Sequence, residues 1–298
     1  MRPWVRWLRG HRGLRIAALV GLFLLPLTNV VSAALVVVTA RAEGVRAAAL
    51  DVLAAALVLG ILLASASLSG GSSPWPAVVG AGTLWGGGLL AGALLGRYRS
   101  VDLALQALVI ATLAGVLVAH AVIPDARAHW QPILQALIES AGLPLKEGLP
   151  DGWLGTLAAL MHGVVGASLL SSLVLAVMLA LWLDPDEDPA GWRRQFLALR
   201  LGRVLTAATV LAGLLLAAGL VSLGGGLLLV LGSAFATQGL AIVHWTAAER
   251  GWPRVWPVAL YAPLLFGAPP AGLMLLVLTL GGLLDNLVAL RRSRANVV

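Results

Sequence analysis

Long apolar runs alternate with short polar or basic breaks along the whole chain, lying near 14–40, 47–68, 75–96, 102–124, 154–183, 204–222, 224–247 and 256–290. Each is close to or longer than the ~20 residues an α-helix needs to cross ~30 Å of hydrocarbon. The pattern predicts an all-α, polytopic membrane bundle. One crossing per run, however, distributes the charges badly. With a cytoplasmic N-terminus it would strand Arg41, Arg46, Arg97, Arg99 and the arginines of Gly191–Arg203 on the outer side, against the positive-inside bias.

The conflict disappears if the first run is a hairpin broken at Pro26-Leu27-Thr28-Asn29 and the last a hairpin broken at Gly267-Ala268-Pro269-Pro270, where turn and helix-breaking residues gather. All of the 20 basic residues except Arg127 and Lys146 then share one side with both termini. The count becomes eight to ten membrane segments in a single domain over residues 1–298. Arms of about 12 residues, roughly 18 Å long, make the first hairpin either re-entrant or a pair of short spans. Tryptophans fit the same arrangement: Trp4, Trp7, Trp182, Trp192, Trp245, Trp252 and Trp256 fall at the cytoplasmic interface, Trp75, Trp130 and Trp153 at the outer one, and Trp85 at mid-span.

Composition strengthens the membrane reading. Of 298 residues 60% are hydrophobic and 11% charged, against roughly 25% charged in soluble domains, and the mean hydropathy is +0.95. The net charge of +7 sits in short clusters at the ends of apolar runs, a topological signal and not a nucleic-acid face. Cysteine is absent, which removes disulfides, thiolate chemistry and cysteine metal sites. Because the first apolar run continues past Val31-Ser32-Ala33 to Ala40, it is expected to stay as an anchor instead of being cleaved as a signal peptide.

Several local features carry expectations of their own. Gly82 and Gly86, and the stripe Gly88, Gly92 and Gly96, suit close helix packing, within this chain or with a partner. The outer loop 125–153 should contain a short helix with Pro132 in its first turn, ending near Gly142. Gly224-Gly225-Gly226 reads as a tight outer turn between two spans. In the cytoplasmic loop 184–203 an acidic run, Asp184 to Pro189, precedes Arg193, Arg194, Arg200 and Arg203, which could meet a protein partner or anionic membrane lipids.

Polar residues within spans are functional candidates by default. Asp51, Asp102, Gln238, His244, Asp285 and Asn286 lie toward the cytoplasmic ends; His120 and His162 lie toward the outer side. Asp51 and Asp285 fit either pairing with nearby arginines or ion coupling. The two histidines could meet, either packed through hydrogen bonds or as a titrating pair, with no third ligand at helical spacing for a metal. No phosphate loop, HExxH or Ser/His/Asp arrangement occurs, so neither a cofactor nor ATP hydrolysis by this chain is expected.

The segment DPAGWRRQFLALRLGR, the later Gln238-Gly239-Leu240-Ala241-Ile242-Val243-His244, and Gly281-Gly282-Leu283-Leu284-Asp285-Asn286 followed by Arg291-Arg292 resemble the YybS-like family of predicted bacterial membrane proteins. That family is similar to the substrate-binding components of energy-coupling-factor transporters. The resemblance implies an inner-membrane protein that binds a small molecule and depends on separate ATPase and coupling subunits. The function expected is thus a membrane transport component of the bacterial inner membrane. The alternatives are a scaffold recruiting a partner or lipid through its basic loops and, third, an intramembrane enzyme.

Overall fold

The computed structural model describes residues 7–8, 10–25, 27–68, 73, 75–142, 152–183, 190–253, 255–265, 268–288 and 291, and every regular element among them is helical. Six helices are long and apolar enough to cross a membrane: Val45–Leu68 (α3), Trp75–Tyr98 (α4), Val101–Val122 (α5), Trp153–Leu183 (α7), Val221–Glu249 (α10) and, from Pro270 onward, Ala268–Val288 (α13). A seventh crossing arises if Gly191–Leu197 (α8) and Gly202–Ala217 (α9), bent by 42°, form one broken span. The chain is therefore a multi-pass helical membrane protein. The remaining helices are Arg12–Leu24 (α1), Asn29–Ala42 (α2), Ala126–Ser140 (α6), Val255–Ala259 (α11) and Ala262–Leu265 (α12). Pro26, Gly267, Asp184–Pro189, Trp4, Arg2, Arg6, Arg9, Lys146, Glu147, Asp151, Arg254, Arg292 and Arg294 lie outside the described residues.

Two compact units result, Met1–Leu108 with Ser171–Leu199 and Val109–Leu170 with Arg200–Val298. In the first unit α1 and α2 form the expected hairpin. Leu27 takes a left-handed φ of 65° at its turn, and Thr28 Oγ1 donates to the carbonyls of Leu22 and Leu25. With 13 and 14 residues the arms reach only about 20 Å. Trp85, in the middle of α4, meets Leu19, Val20, Leu35 and Val36 along the two arms, each of which is shorter than a full span. Nine consecutive residues of α2, Ser32 to Ala40, are buried.

That enclosure comes from glycine. A Cβ on Gly88 would meet Ala33 O at 3.2 Å, one on Gly92 would meet Ala40 Cβ at 2.6 Å and Val37 O at 2.8 Å, and one on Gly96 would meet Arg41 O at 3.1 Å. Contacts advance in the same direction on both helices, so α2 and α4 run parallel with their arginine-bearing ends together. Gly82 and Gly86 have nothing within 4 Å of such a Cβ; they lie on a different side of α4 and do not share the contact.

In the second unit α10 and α13 also run parallel. Thr279 Oγ1 donates to Gly232 O, Gly282 abuts the Phe235 backbone and Gly239 abuts the Leu278 backbone, each with no room for a Cβ. Parallel neighbours require the intervening chain, which includes α11 and α12, to travel back along the bundle. Pro269 and Pro270 sit in the first turn of α13, where a missing N–H costs no helical bond, so of the expected break at 267–270 residues 268–270 are helical and Gly267 lies outside the described residues.

Two further expectations are corrected. Gly224-Gly225-Gly226 is not a turn but part of α10, used for contact: Gly224 lies against the backbone of Ala212 and Leu216, and Gly226 against that of Gly163. The turn is at Gly219, whose φ is 86°; the Gly219 amide donates to Leu216 O and the Leu220 amide to Leu215 O, a Schellman closure. Pro132 lies inside α6 and not in its first turn, because Asp125 starts the helix earlier by accepting from the Ala128 amide. In the basic segment 191–203, α8 stops at Leu197, Leu199 and Leu201 are buried, and Gly202 restarts the chain at a φ of 80°.

Candidate functional site

Three polar clusters hold the residues in question. The first closes the base of the hairpin. Arg12 and Arg15 are three residues apart and share a face of α1. Arg12 Nε donates to Asp51 Oδ1 at 2.6 Å, Arg15 Nη2 pairs with Asp51 Oδ2 at 2.5 Å, and Arg15 Nη1 donates to Glu43 Oε1 at 2.6 Å. Asp51 is 1% and Arg15 4% exposed, so these charges can be buried only as a set. Pairing leaves Asp51 saturated by arginine. Above it Ser32 Oγ donates to Leu19 O and accepts from the indole nitrogen of fully buried Trp85.

The second cluster ties α10 and α13 to the start of α9. Gln238, 0% exposed, accepts from the Leu201 amide through Oε1 and donates through Nε2 to Asp285 Oδ2 and Asn286 Oδ1. Asn286 Nδ2 donates to Gly202 O and Thr206 Oγ1. Asp285 also accepts from Arg291 Nη2 at 2.6 Å and faces Arg200 Nε at 3.8 Å. Every amide hydrogen and the carboxylate thereby have partners, the arrangement in which a buried polar network stiffens a core.

The third cluster gathers the two histidines. His120, near the end of α5, has Nδ1 2.9 Å from Val116 O and Nε2 3.1 Å from Ser222 Oγ on α10. The Ser222 hydroxyl in turn donates to Ala159 O on α7 at 2.6 Å. His162, on α7 and 5% exposed, lies edge-on to His120 with ring centroids 4.6 Å apart, and 6.2 Å from the ring of Trp130 on α6. Neither ring nitrogen of His162 has a hydrogen-bond partner, and neither has the buried Nε1 of Trp130.

Of the eight candidates, then, Gln238, Asp285 and Asn286 come together, as do His120 and His162. Asp51 joins arginines instead. His244 bonds Tyr261 Oη through Nε2 at 2.9 Å, apart from Gln238, and Asp102 stands in the first turn of α5. Among the described residues no group of three or more His, Asp or Glu is placed to hold a metal ion. Sequence reasoning allowed for an arginine beside Asp51 without naming Arg12 or Arg15, although the spacing of the two was a usable sign, and it missed Glu43, the second carboxylate on Arg15. It also missed Ser222, and it took Trp130 for an interfacial anchor only. No protein-family model, curated protein or solved structure matches this chain.

Proposed function

We propose that this protein is a bacterial inner-membrane transport component that binds a small molecule among its helices, at the His120–His162–Trp130 cluster. The observation that carries the reading is His162: a buried imidazole with two unpartnered nitrogens is costly in an apolar span, whereas Asp51, Gln238, Asp285 and Asn286 have found partners. The cluster lies beneath α6, on the side assigned to the exterior, where a substrate would arrive. The resemblance to substrate-binding components adds separate ATPase and coupling subunits as the source of energy.

Native mass spectrometry of the gently purified protein tests this. A stoichiometric small molecule, lost on His162→Ala, together with an ATPase partner, is the expected result. Partners without any ligand would favour the second reading, a scaffold. That reading draws support from the saturation of Asp51 and Asp285 and from the exposure of Arg193, Arg194 and Arg203 on the face assigned to the cytoplasm.

A further inference from the structure

Hydrogen-bond valence around the histidines limits what could complete them. Val116 O can only accept, so His120 Nδ1 carries a proton toward it. The Ser222 hydroxyl has a single hydrogen, and Ala159 O receives it at 2.6 Å. What Ser222 offers His120 Nε2 at 3.1 Å is therefore a lone pair. Both nitrogens of His120 face acceptors, an arrangement completed by the doubly protonated, cationic ring.

Among the described residues, the ionisable groups around that ring do not neutralise it. His162 faces it from α7, and His129 stands on α6 with its ring 5.2 Å from Trp130. Arg127, also on α6, donates to Gly155 O. Of the described carboxylates flanking or on α6, Asp125 accepts from the Ala128 amide as its N-cap and Glu139 accepts from Gln135 Nε2. Alongside stand the unpartnered, donor-only Trp130 Nε1–H and the two nitrogens of His162, at least one of which bears hydrogen. A cation and free N–H donors in one buried place are complementary to an anion with two acceptor oxygens. A single positive charge balances a monoanion better than a dianion.

We propose that this cluster binds the carboxylate of a small organic monoacid, its oxygens accepting from Trp130 Nε1 and His162 while protonated His120 balances the charge. The inference rests on the cluster being the ligand site proposed above. Butyrate, butyramide and butylamine serve as matched anionic, neutral and cationic probes, titrated into the full chain in nanodiscs with nitrogen-15-labelled histidine. Butyrate is expected to shift the His120 and His162 ring signals saturably and to bind at least tenfold more tightly than butyramide. Its affinity should fall as pH is raised and fall about tenfold in Trp130→Phe, whose unchanged thermal unfolding midpoint without ligand reports an intact fold. Equal or tighter binding of the amide or amine overturns the carboxylate assignment while leaving a ligand site in place. If no probe moves either ring, the assignment also fails, and the native mass spectrum then decides separately whether any ligand binds at all.

Discussion

Asp51 is held by one arginine that is buried and one that is not, and the difference sets what each is worth. Removing the carboxylate in Asp51→Ala would leave Arg15, 4% exposed, a buried cation sharing only Glu43, a change that costs about 3–5 kcal/mol in comparable buried pairs. Arg12→Ala removes a partner whose side chain is 56% exposed, and solvent screening holds such losses to about 1 kcal/mol or less. Thermal unfolding in detergent should therefore rank Asp51→Ala far below Arg12→Ala; equal midpoints would mean that the cluster does not anchor the hairpin. Ser32 offers a second check at the other end of the same hairpin. Ser32→Ala strips Trp85 Nε1 of its acceptor and Leu19 O of its donor, and an unmade buried hydrogen bond costs about 1–3 kcal/mol.

Glycine placement decides how the helices pack, and it separates positions that look equivalent in the sequence. Gly92→Ala would press a methyl group onto Ala40 Cβ and Val37 O, and overpacking of this kind costs about 1–3 kcal/mol. Gly86→Ala has open space around it and should be neutral or gain up to about 1 kcal/mol in helix propensity. Denaturation by titrated detergent would measure both; similar losses for the two would refute the assignment of Gly88, Gly92 and Gly96 as the contact face. The class of every long element was legible from hydropathy alone, and the break in the first apolar run from its turn-favouring residues, which act locally. The role of Gly224-Gly225-Gly226 was not. A triple glycine signals freedom or proximity equally well, and only Gly163 and Leu216, brought in from other helices, select proximity here. The histidine cluster was half legible: two histidines on the outer side suggested a meeting, but Ser222 and Trp130 come from α10 and α6, and no local pattern connects those to α5 and α7.

Within each unit the arginine-bearing ends converge, which gives the charge argument for topology a geometric counterpart. In the first unit Gly96 packs on Arg41, and Arg12 and Arg15 reach Asp51 and Glu43, so the ends of α2 and α4 and the starts of α1 and α3 lie together. In the second, Asn286 donates to Gly202 O and Arg200 faces Asp285, so α13 finishes where α9 begins. A bilayer that respects the positive-inside bias would then place residues 41–46, 97–99 and 200–203 in the cytoplasm, together with Arg291, and α6 outside. The chain contains no cysteine, so single-cysteine variants can be read without background. Ser140→Cys, at the exposed end of α6, should react with a membrane-impermeant maleimide on intact cells. Arg46→Cys and Arg193→Cys, both at exposed positions, should react only after the membrane is opened. Labelling of Arg193→Cys from outside would invert the assignment for the central basic segment. It would also move the histidine cluster to the cytoplasmic side, turning uptake of a ligand beneath α6 into release.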